Sequence, residues 1–404
     1  MKEKYDNQLK PRLHEDWIDH HAMKIVRTLK KEGFETYLVG GCIRDLLAGI
    51  HPKDYDIATS ASPSQVRKKV PGSYVIGRRF KLVLVKKGDQ QFEVATFRRN
   101  VRPEELVDEE NQIEGDNYFG TAEEDAQRRD FTINALFFDP TEHQLIDYVD
   151  GMKDIESRQI KMIGDPVSRL IEDPIRIFRA VRLSHKLGFR IEENLRAAIL
   201  QTQNEILKGV LPRRREEYLK ILRLHDPHLA WLELYDLGIL KHCLSGLHAL
   251  LENTEKSEVF FQYFSQAHSV GIDFQNPTEL FSAFLYSFIR AYYPDELDIN
   301  SVINDEKLNY FMREELGVFK NEIGQFERAL QIIPTLFRYD TYLRKGSRRQ
   351  LSFITNDALP LALKLSMMDQ FLPTQLIHFW LAQVEKFTSE SSEQSHPHSE
   401  EQEI

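Results

Sequence analysis

Two aspartates separated by one tyrosine are the residues of this 404-residue chain whose types and spacing most directly suggest chemistry. Asp54 and Asp56 stand in the stretch YLVGGCIRDLLAGIHPKDYDIATS, residues 37–60. In a strand, successive side chains point to opposite faces, so both carboxylates would project together while Tyr55 faces away. Two like charges at one point repel each other, and a divalent cation removes that repulsion. The spacing therefore predicts a site for Mg²⁺, with Mn²⁺ as the alternative.

The residues around the two aspartates fit a nucleotide site. Glu93 lies in the alternating stretch QFEVATF, and a neighbouring position in the sheet would direct its carboxylate at the same metal. Gly40 and Gly41 let the backbone pass close to a ligand, and a helix opening at about Cys42 would point its positive dipole end toward phosphates. Arg44 would add charge-assisted hydrogen bonds. Each feature alone fits an ordinary turn or strand end, but their combination favours nucleotide binding.

The elements that must position these residues change in character along the chain. Strands are predicted at TYLVGG, YDIAT, KLVLVKK, QFEVATF, TINALFFD and QLIDYVD, whereas amphipathic helices with short loops continue from about Asp165 to about Phe387. We therefore predict an α/β head, a small mixed sheet flanked by helices, followed by an elongated all-α neck and body. The expected bounds are 1–150 for the catalytic head, 151–225 for the neck, 226–387 for an RNA-binding body and 388–404 for a disordered acidic tail.

Composition narrows the class of protein. The sequence is 41% hydrophobic, enough for ordinary cores, and no apolar run approaches the roughly 20 residues that span a bilayer, which predicts a cytoplasmic protein without a membrane partner. Cys42 and Cys243 lack the spacing of a disulfide framework or zinc site and are predicted to be buried thiols. The net charge is −10, yet residues 67–102 hold eleven Lys or Arg and two acids. That segment predicts polyanion binding, with a solvated basic face as the alternative.

Four segments resemble those of the class II nucleotidyltransferases, the family that includes bacterial poly(A) polymerases and CCA-adding tRNA enzymes. They are LVGGCIRDLL followed by DYDIATS, EEDAQRRDFTINAL, DYVDGMKDI and EDPIRIFRAVRLSHKLGF, in the family's order and spacing over roughly residues 35 to 225. The resemblance implies that Asp54 and Asp56 bind the metal ions, and that Gly40, Gly41 and Arg44 hold the triphosphate. It also implies template-independent transfer of nucleotides to an RNA 3′ hydroxyl by a two-metal mechanism.

The resemblance assigns further roles in the nucleotide pocket. Arg129 and Asp130 match residues that contact the ribose, and Asn134 is expected to support their loop. Asp173 and Arg176, in EDPIR, match the acid and the arginine that read the edge of the incoming base.

The spacing of the EDPIR segment can be interpreted independently of the family. Asp173, Arg176 and Arg179 fall at i, i+3 and i+6, so we expect them to share one helix face, with Pro174 in the first turn. A surface salt bridge is the common alternative for this spacing. Arg213 resembles a family position that faces the nucleotide pocket.

The stretch VIGRRFKLVLV, residues 75–85, resembles a Gly-Arg-Arg-Phe-Arg-Leu signature of bacterial poly(A) polymerases, with Lys81 in place of an arginine. RNA contacts are expected here from Arg78, Arg79 and Lys81. Another basic stretch, LRKGSRRQL at 343–351, predicts contacts from Lys345, Arg348 and Arg349, with plain surface charge as the alternative.

We therefore predict a polynucleotide adenylyltransferase that uses ATP on the 3′ ends of mRNA or other transcripts. CCA addition to tRNA is the alternative. A non-catalytic RNA-binding protein with an inactive head, or a small-molecule nucleotidyltransferase, fits the motifs less well.

Overall fold

The computed structural model describes residues 13–77, 81–100, 118–293, 298–369 and 372–393. The chain divides into two compact units, Met1–Thr202 and Gln203–Ile404, and the predicted neck spans this division. Among the described residues, no helix combines the length and apolar character needed to cross a membrane.

A mixed sheet of seven strands forms the centre of the first unit and confirms the predicted α/β head. The strands are β1 (Thr36–Val39), β2 (Asp56–Thr59), β3 (Ser73–Ile76), β4 (Leu82–Lys87), β5 (Gln90–Thr96), β6 (Leu136–Asp139) and β7 (Gln144–Asp147). Their order across the sheet is β3-β4-β5-β2-β1-β6-β7. Strands β2 and β5 run parallel, and the other neighbours run antiparallel. The sequence patterns predicted these strands except β3, whose side chains do not alternate between apolar and polar.

Helices accompany the sheet in the first unit. They are α1 (His20–Lys31), α2 (Gly41–Leu47), α3 (Pro63–Lys69), α4 (Ala122–Gln127), α5 (Gly151–Glu156), α6 (Pro166–Glu172), α7 (Arg176–Leu187) and α8 (Glu193–Gln201). Short 3₁₀ turns lie at Glu15–Trp17 and Thr132–Asn134, and a small parallel ladder joins β8 (Gln159–Ile160) to β9 (Arg190–Ile191). Helix α1 begins at Asp19, whose carboxylate accepts two backbone N–H groups.

The two faces of the sheet are buried to different extents. On β4 and β5, Val83, Val85 and Val94 are buried on one face, while the alternating Leu84 and Glu93 on the other face keep solvent exposure. At β1, β2 and β6 this second face is covered as well, by a cluster of buried apolar residues. Its members are Val39, Ala58, Phe97, Ala122, Ala126, Ala135, Phe137 and Ile163. The second face is therefore closed over the centre of the sheet and open toward β3.

The described regular elements of the second unit are helical, as predicted. They comprise a 3₁₀ helix (Gln203–Lys208), a π-helical turn (Phe311–Glu315), and α9 (Leu211–Leu222), α10 (Pro227–Asp236), α11 (Leu240–Cys243), α12 (Ser245–Leu251), α13 (Thr254–Ser265), α14 (Pro277–Tyr292), α15 (Ile299–Ile303), α16 (Glu306–Tyr310), α17 (Lys320–Leu336), α18 (Tyr339–Leu343), α19 (Ser347–Ile354), α20 (Leu359–Asp369) and α21 (Thr374–Glu393). Trp231 and Trp380 are buried in this unit.

Two further sequence predictions concern the cysteines and the last helix. Cys42 and Cys243 are free and buried, as expected. The predicted disordered tail begins at residue 388, but α21 continues to Glu393, so the first six residues of that tail are helical. A helix that has already formed adds one hydrogen bond for each further residue, which favours continuation through a polar segment. Residues 394–404 lie outside the described residues.

Candidate active site

The two aspartates stand at the beginning of β2, where the sheet opens to solvent. Asp56 is the first residue of the strand, and Asp54 precedes it in the adjoining loop. Both side chains are exposed, whereas Tyr55 between them is 6% exposed and donates its hydroxyl to the carbonyl of Trp17. The predicted alternation is confirmed, because the tyrosine turns inward and the two carboxylates turn outward.

Glu93 lies beside Asp56 on the neighbouring strand. The two residues are register partners in the parallel β2–β5 pair, so their side chains project from the same face. Although the residue as a whole is exposed, desolvation of its carboxyl group, the Glu93 carboxylate and Asp54 together raise the pKa of Asp56 from 3.8 to about 6, against the opposing guanidinium groups of Arg129 and Arg44. The site therefore concentrates negative charge that an added cation would relieve.

This set of donors fits Mg²⁺, which takes one or two carboxylates and completes its coordination with water and phosphates. Among the described residues, no three His, Cys, Asp or Glu side chains form a ready-made metal cluster. Direct coordination by Glu93 therefore stays a prediction.

Gly40 connects β1 to α2 directly above the carboxylates. Its φ of 74° lies in the left-handed region, and its N–H donates to the carbonyl of Leu136 at 3.2 Å. A Cβ at this position would lie 2.9 Å from Nη1 of Arg129 and 3.9 Å from Oδ2 of Asp56. Glycine is required here by the backbone conformation, and a Cβ would in addition displace the Arg129 guanidinium from its position. Gly41, the first residue of α2, has ordinary space around it.

Arg44 lies in α2, just after the glycine turn, and a buried polar network holds its side chain. Its Nη1 donates to Oδ1 of Asn134 at 2.6 Å, and its Nε and Nη2 donate to Oδ1 of Asp45 at 2.9 and 2.7 Å. Lys186 donates to the other carboxylate oxygen of Asp45 at 2.7 Å. Arg44 is 7% exposed, so its charge acts on the site from a fixed position. Neither Asp45 nor Lys186 was predicted from the sequence to belong to this network.

The predicted ribose loop follows α4 and is stabilised by hydrogen bonds among its own residues and with α4. Nε and Nη2 of Arg129 donate to Oδ2 of Asp125 at 3.2 and 3.0 Å, and Nη1 donates to the Asn134 carbonyl at 3.0 Å. Nδ2 of Asn134 in turn donates to Oδ1 of Asp130 at 2.9 Å. The structure thus brings together the three residues that the resemblance placed in this loop. Asp125 was missed, although its position four residues before Arg129 was a usable signal.

Asp130 is also paired with Arg179 from α7. Nε of Arg179 donates to Oδ2 of Asp130 at 2.7 Å, and the second contact, through Nη2, measures 2.6 Å. Burial alone would raise the pKa of Asp130, but Arg179, Asn134 and the N–H of Phe131 outweigh it and hold the pKa below its usual range. Asp130 is therefore ionised near neutral pH.

The EDPIR segment departs from its predicted conformation. Helix α6 ends at Glu172, Asp173 is extended with φ −145° and ψ 90°, and α7 begins at Arg176. The prediction that Asp173, Arg176 and Arg179 share one helix face is wrong. The residue before a proline is driven out of the helical region, so Pro174 breaks the helix at Asp173. Pro174 lies in the turn that leads into α7.

Arg176 points back toward the end of α6. Its Nη1 donates to the carbonyl of Arg169 at 2.6 Å and to Oε2 of Glu172 at 2.8 Å. Arg169 itself donates through Nη2 to the carbonyls of Arg128 and Arg129, at 2.8 and 2.7 Å. A continuous network therefore runs from the predicted base-reading arginine to the predicted ribose loop, and Arg169 and Glu172 in it had no role in the sequence analysis.

The remaining predicted contact residues belong to other elements of the chain or lie outside the described residues. Arg78 and Arg79 are outside the described residues, and Lys81 is exposed just before β4. Arg213 is exposed in the first turn of α9 in the second unit. In the same unit, Arg348 and Arg349 are exposed on α19, and Lys345 lies 5.8 Å from the ring centre of Phe353.

The arrangement in the first unit supports phosphoryl chemistry. It combines exposed carboxylates suited to a divalent cation, a glycine turn that admits a close ligand, and two fixed guanidinium groups, Arg44 and Arg129, that electrostatically act on the same point. Phosphoryl transfer relies mainly on positioning and charge stabilisation, and this constellation provides both.

Comparisons with known proteins agree with this chemistry. Residues 36–161 match the model of the poly A polymerase head domain, and residues 188–251 match the model described as the probable RNA and SrmB-binding site of polymerase A. Poly(A) polymerase I of Haemophilus influenzae is 35% identical over 321 residues, which cover 76% of this chain and 65% of that protein. The CCA-adding enzyme of Lactobacillus delbrueckii subsp. bulgaricus is 36% identical over 228 residues, 55% of each chain. The chain thus spans less than two thirds of the length of these curated relatives.

A solved structure shares the fold. The Thermotoga maritima CCA-adding enzyme complexed with tRNA matches with a TM-score of 0.59 at 20% identity, covering 94% of this chain and 87% of that one. The resemblance found in the sequence motifs is thereby confirmed for the fold and for the two matched regions.

Proposed function

Since residues 36–161 match the model of the poly A polymerase head domain, we propose that this protein is a template-independent RNA 3′-nucleotidyltransferase that adds AMP from ATP to RNA 3′ ends. The observation that carries the proposal is the cluster of Asp54, Asp56 and Glu93, in which the pKa of Asp56 is raised to about 6. A group of acids beside a glycine turn, whose mutual repulsion Arg129 and Arg44 offset only in part, is what a metal-dependent nucleotide site requires.

In the proposed reaction, Asp54 and Asp56 hold Mg²⁺, and Mn²⁺ is the alternative. When bound, such ions lower the pKa of the attacking 3′ hydroxyl and stabilise the departing pyrophosphate. Asp56 must be ionised to act as a ligand, so binding of Mg²⁺ to the site should weaken as the pH falls through about 6. Glu93 adds negative charge from the adjacent strand and serves as a third acid of the site.

The other residues around the cluster are proposed to position the nucleotide. The triphosphate passes over Gly40 and Gly41, with Arg44 and Arg129 supplying fixed positive charge. Because these guanidinium groups are already held by protein partners, little entropy is lost when phosphate binds. The loop of Asp130 is held by Arg179 and Asn134, and we propose that it contacts the ribose.

Base selection is proposed to involve Asp173 and Arg176. Glu172 and the carbonyl of Arg169 fix the direction of the Arg176 guanidinium, which leaves its planar geometry available for one base edge only. Asp173 is placed at the helix break instead of on a shared helix face with Arg176. An acid at the helix break and an arginine held in one direction can discriminate among bases without a template strand.

Poly(A) addition is preferred to CCA addition because of the extent of similarity. At nearly the same identity, the match to poly(A) polymerase I covers 76% of this chain, and the match to the CCA-adding enzyme covers 55%. The GRRFKL stretch also supports it, although its Arg78 and Arg79 lie outside the described residues. The fold likeness to CCA-adding enzymes keeps tRNA 3′-end maturation as the second candidate.

RNA contacts in the second unit are part of the proposal. The exposed Arg348 and Arg349 and the neighbouring Lys345 offer positive charge to an RNA backbone, as Arg213 does to the nucleotide. The RNAs are mRNA or other transcripts in this proposal, and tRNA in the alternative. Cytoplasmic location stays a prediction.

Primer extension tests the proposal directly. Purified protein is incubated with oligoadenylate or with tRNA lacking its 3′ terminus, and with ATP alone, CTP alone or both. We expect long tails from ATP on either RNA and little incorporation of CTP. Addition limited to C, C and A on the tRNA would establish the second candidate. The Asp54→Asn variant is the matched control and should add nothing while still binding RNA in a gel shift.

A further inference from the structure

The carboxylate cluster lies at one end of a row of side chains that crosses the sheet to its outermost described strand, β3. Asp56 pairs with Glu93 on β5, Glu93 pairs with Leu84 on β4, and Leu84 pairs with Tyr74 on β3. Directly paired residues project from the same face of a sheet. Tyr74 therefore stands on the same face as the carboxylates, three strand spacings away, or about 14 Å at about 4.8 Å each.

This part of the face is accessible to solvent. Tyr74 is 57% exposed and Ile76 is 42% exposed, and Leu84 between Tyr74 and Glu93 is half-buried. On the opposite face, Val83 and Val85 of β4 are buried, whereas Val75 of β3 is 38% exposed. Tyr74 and Ile76 therefore lie on a part of the sheet face that the hydrophobic cluster over β1, β2 and β6 does not cover.

The outer end of the row carries positive charge beside an aromatic ring. Nζ of Lys86 lies 6.0 Å from the centre of the Tyr74 ring, and both side chains are exposed. An exposed ring stacks on any nucleobase, and an adjacent ammonium group attracts the phosphate that follows it. The row thus passes from acids through an apolar centre to an aromatic and basic end.

We propose that this row, Asp56, Glu93, Leu84 and Tyr74 with Lys86 beside it, is the platform on which the single-stranded 3′ end of the acceptor RNA lies. The inference rests on the proposed function, since it places the reacting 3′ hydroxyl at the carboxylates. Tyr74 then stacks on a base roughly four nucleotides back, at about 3.4 Å for each stacked nucleotide. Lys86 contacts the backbone there. Single-stranded RNA fits better than a protein strand because the charge and the ring both lie at the distance that a short oligonucleotide reaches.

Primer length provides the test. KM values for RNA and for ATP are measured for the full chain and for Tyr74→Ala with oligoadenylate primers of two and of ten nucleotides. With the ten-nucleotide primer, Tyr74→Ala should raise the KM for RNA about tenfold and leave the KM for ATP unchanged. With the dinucleotide, which cannot reach the ring, the two proteins should behave alike. Tyr74→Phe keeps the ring and should behave as the unmodified protein.

Two further variants guard against indirect effects. Lys86→Gln should weaken binding of the long primer and reduce its salt dependence. Tyr310→Ala removes a tyrosine that is 60% exposed in the second unit, and it should leave the KM for both primers unchanged. An equal loss with both primers in Tyr74→Ala, or no loss in either Tyr74→Ala or Lys86→Gln, would overturn the platform.

Direct binding separates this inference from the proposed function. Fluorescence anisotropy measures the Kd of a labelled ten-nucleotide oligoadenylate without catalysis, and Tyr74→Ala should raise it about tenfold. If the unmodified protein transfers no nucleotide, the proposed function fails and the anisotropy result alone judges the platform. If RNA affinity is unchanged and Tyr74→Ala instead abolishes self-association in light scattering, the β3 edge pairs with a protein strand and the platform is refuted.

Discussion

Replacing Asp56 by asparagine is expected to abolish nucleotide addition and, in the same protein, to stabilise the fold above about pH 6. Burial and the Glu93 carboxylate raise the pKa of Asp56 from 3.8 to about 6, with a further contribution from Asp54. An acid whose pKa is higher in the folded state than in the unfolded state lowers the free energy of unfolding when it ionises, so it destabilises the fold. This cost is absent well below pH 3.8 and fully present above about pH 6.

The magnitude follows from the same shift. The difference between 3.8 and about 6 corresponds to at most about 3 kcal/mol, at about 1.36 kcal/mol for each pKa unit. Because the Asp56 side chain is exposed, solvent screens its neighbours, and we reduce this figure to about 1.5 kcal/mol. Asparagine keeps the shape and removes the charge. The Tm of the variant should therefore exceed that of the unmodified protein by about 3 to 6 °C at pH 8, and by much less at pH 4.

Thermal unfolding without divalent cations, followed by circular dichroism from pH 4 to pH 8, measures this gain. Asp89→Asn, which neutralises an exposed acid in the turn between β4 and β5, is the matched control and should leave the Tm unchanged. Added Mg²⁺ should raise the Tm of the unmodified protein and of the control, but not of Asp56→Asn. A lower Tm for Asp56→Asn at pH 8, or an equal gain at pH 4 and pH 8, would refute the account of charge repulsion.

Three further predictions concern the surroundings of the carboxylates. Gly40→Ala should abolish nucleotide addition in primer extension, because its Cβ would lie 2.9 Å from Nη1 of Arg129. The control Gly88→Ala, also at positive φ but with no atom within 4 Å of the added Cβ, should remain active. Arg179→Met should lower the free energy of unfolding by about 3 kcal/mol in urea denaturation at pH 7, since it leaves the largely buried Asp130 carboxylate without its ion-pair partner. The loss should shrink as the pH falls through the depressed pKa of Asp130. Arg176→Ala should reduce selectivity among the four ribonucleotides roughly tenfold in competition assays. Unchanged selectivity would mean that the arginine only connects α7 to α6 through its hydrogen bonds.

Local patterns in the sequence were sufficient for several parts of the site. The alternation of side chains in a strand placed Asp54 and Asp56 outward and Tyr55 inward, and the structure agrees. The glycine turn into α2 follows from residue type, because Gly40 takes a backbone conformation that other residues avoid. Pro174 also carried a local signal, a break in the helix at the preceding residue, but helical spacing was given more weight and the prediction was wrong there.

The sequence by itself determined the class of fold, the two aspartates and the turn above them, because each depends on neighbours within a few residues. Only the tertiary structure decided which distant groups meet them. Register in the parallel pair places Glu93 beside Asp56, and the packing of α7 brings Arg179 to Asp130. A strand's periodicity fixes the face of a side chain but not the strand that will lie next to it, since that choice depends on the whole topology of the sheet. The raised pKa of Asp56 is likewise a property of the assembled site, because burial and every neighbouring charge contribute to it.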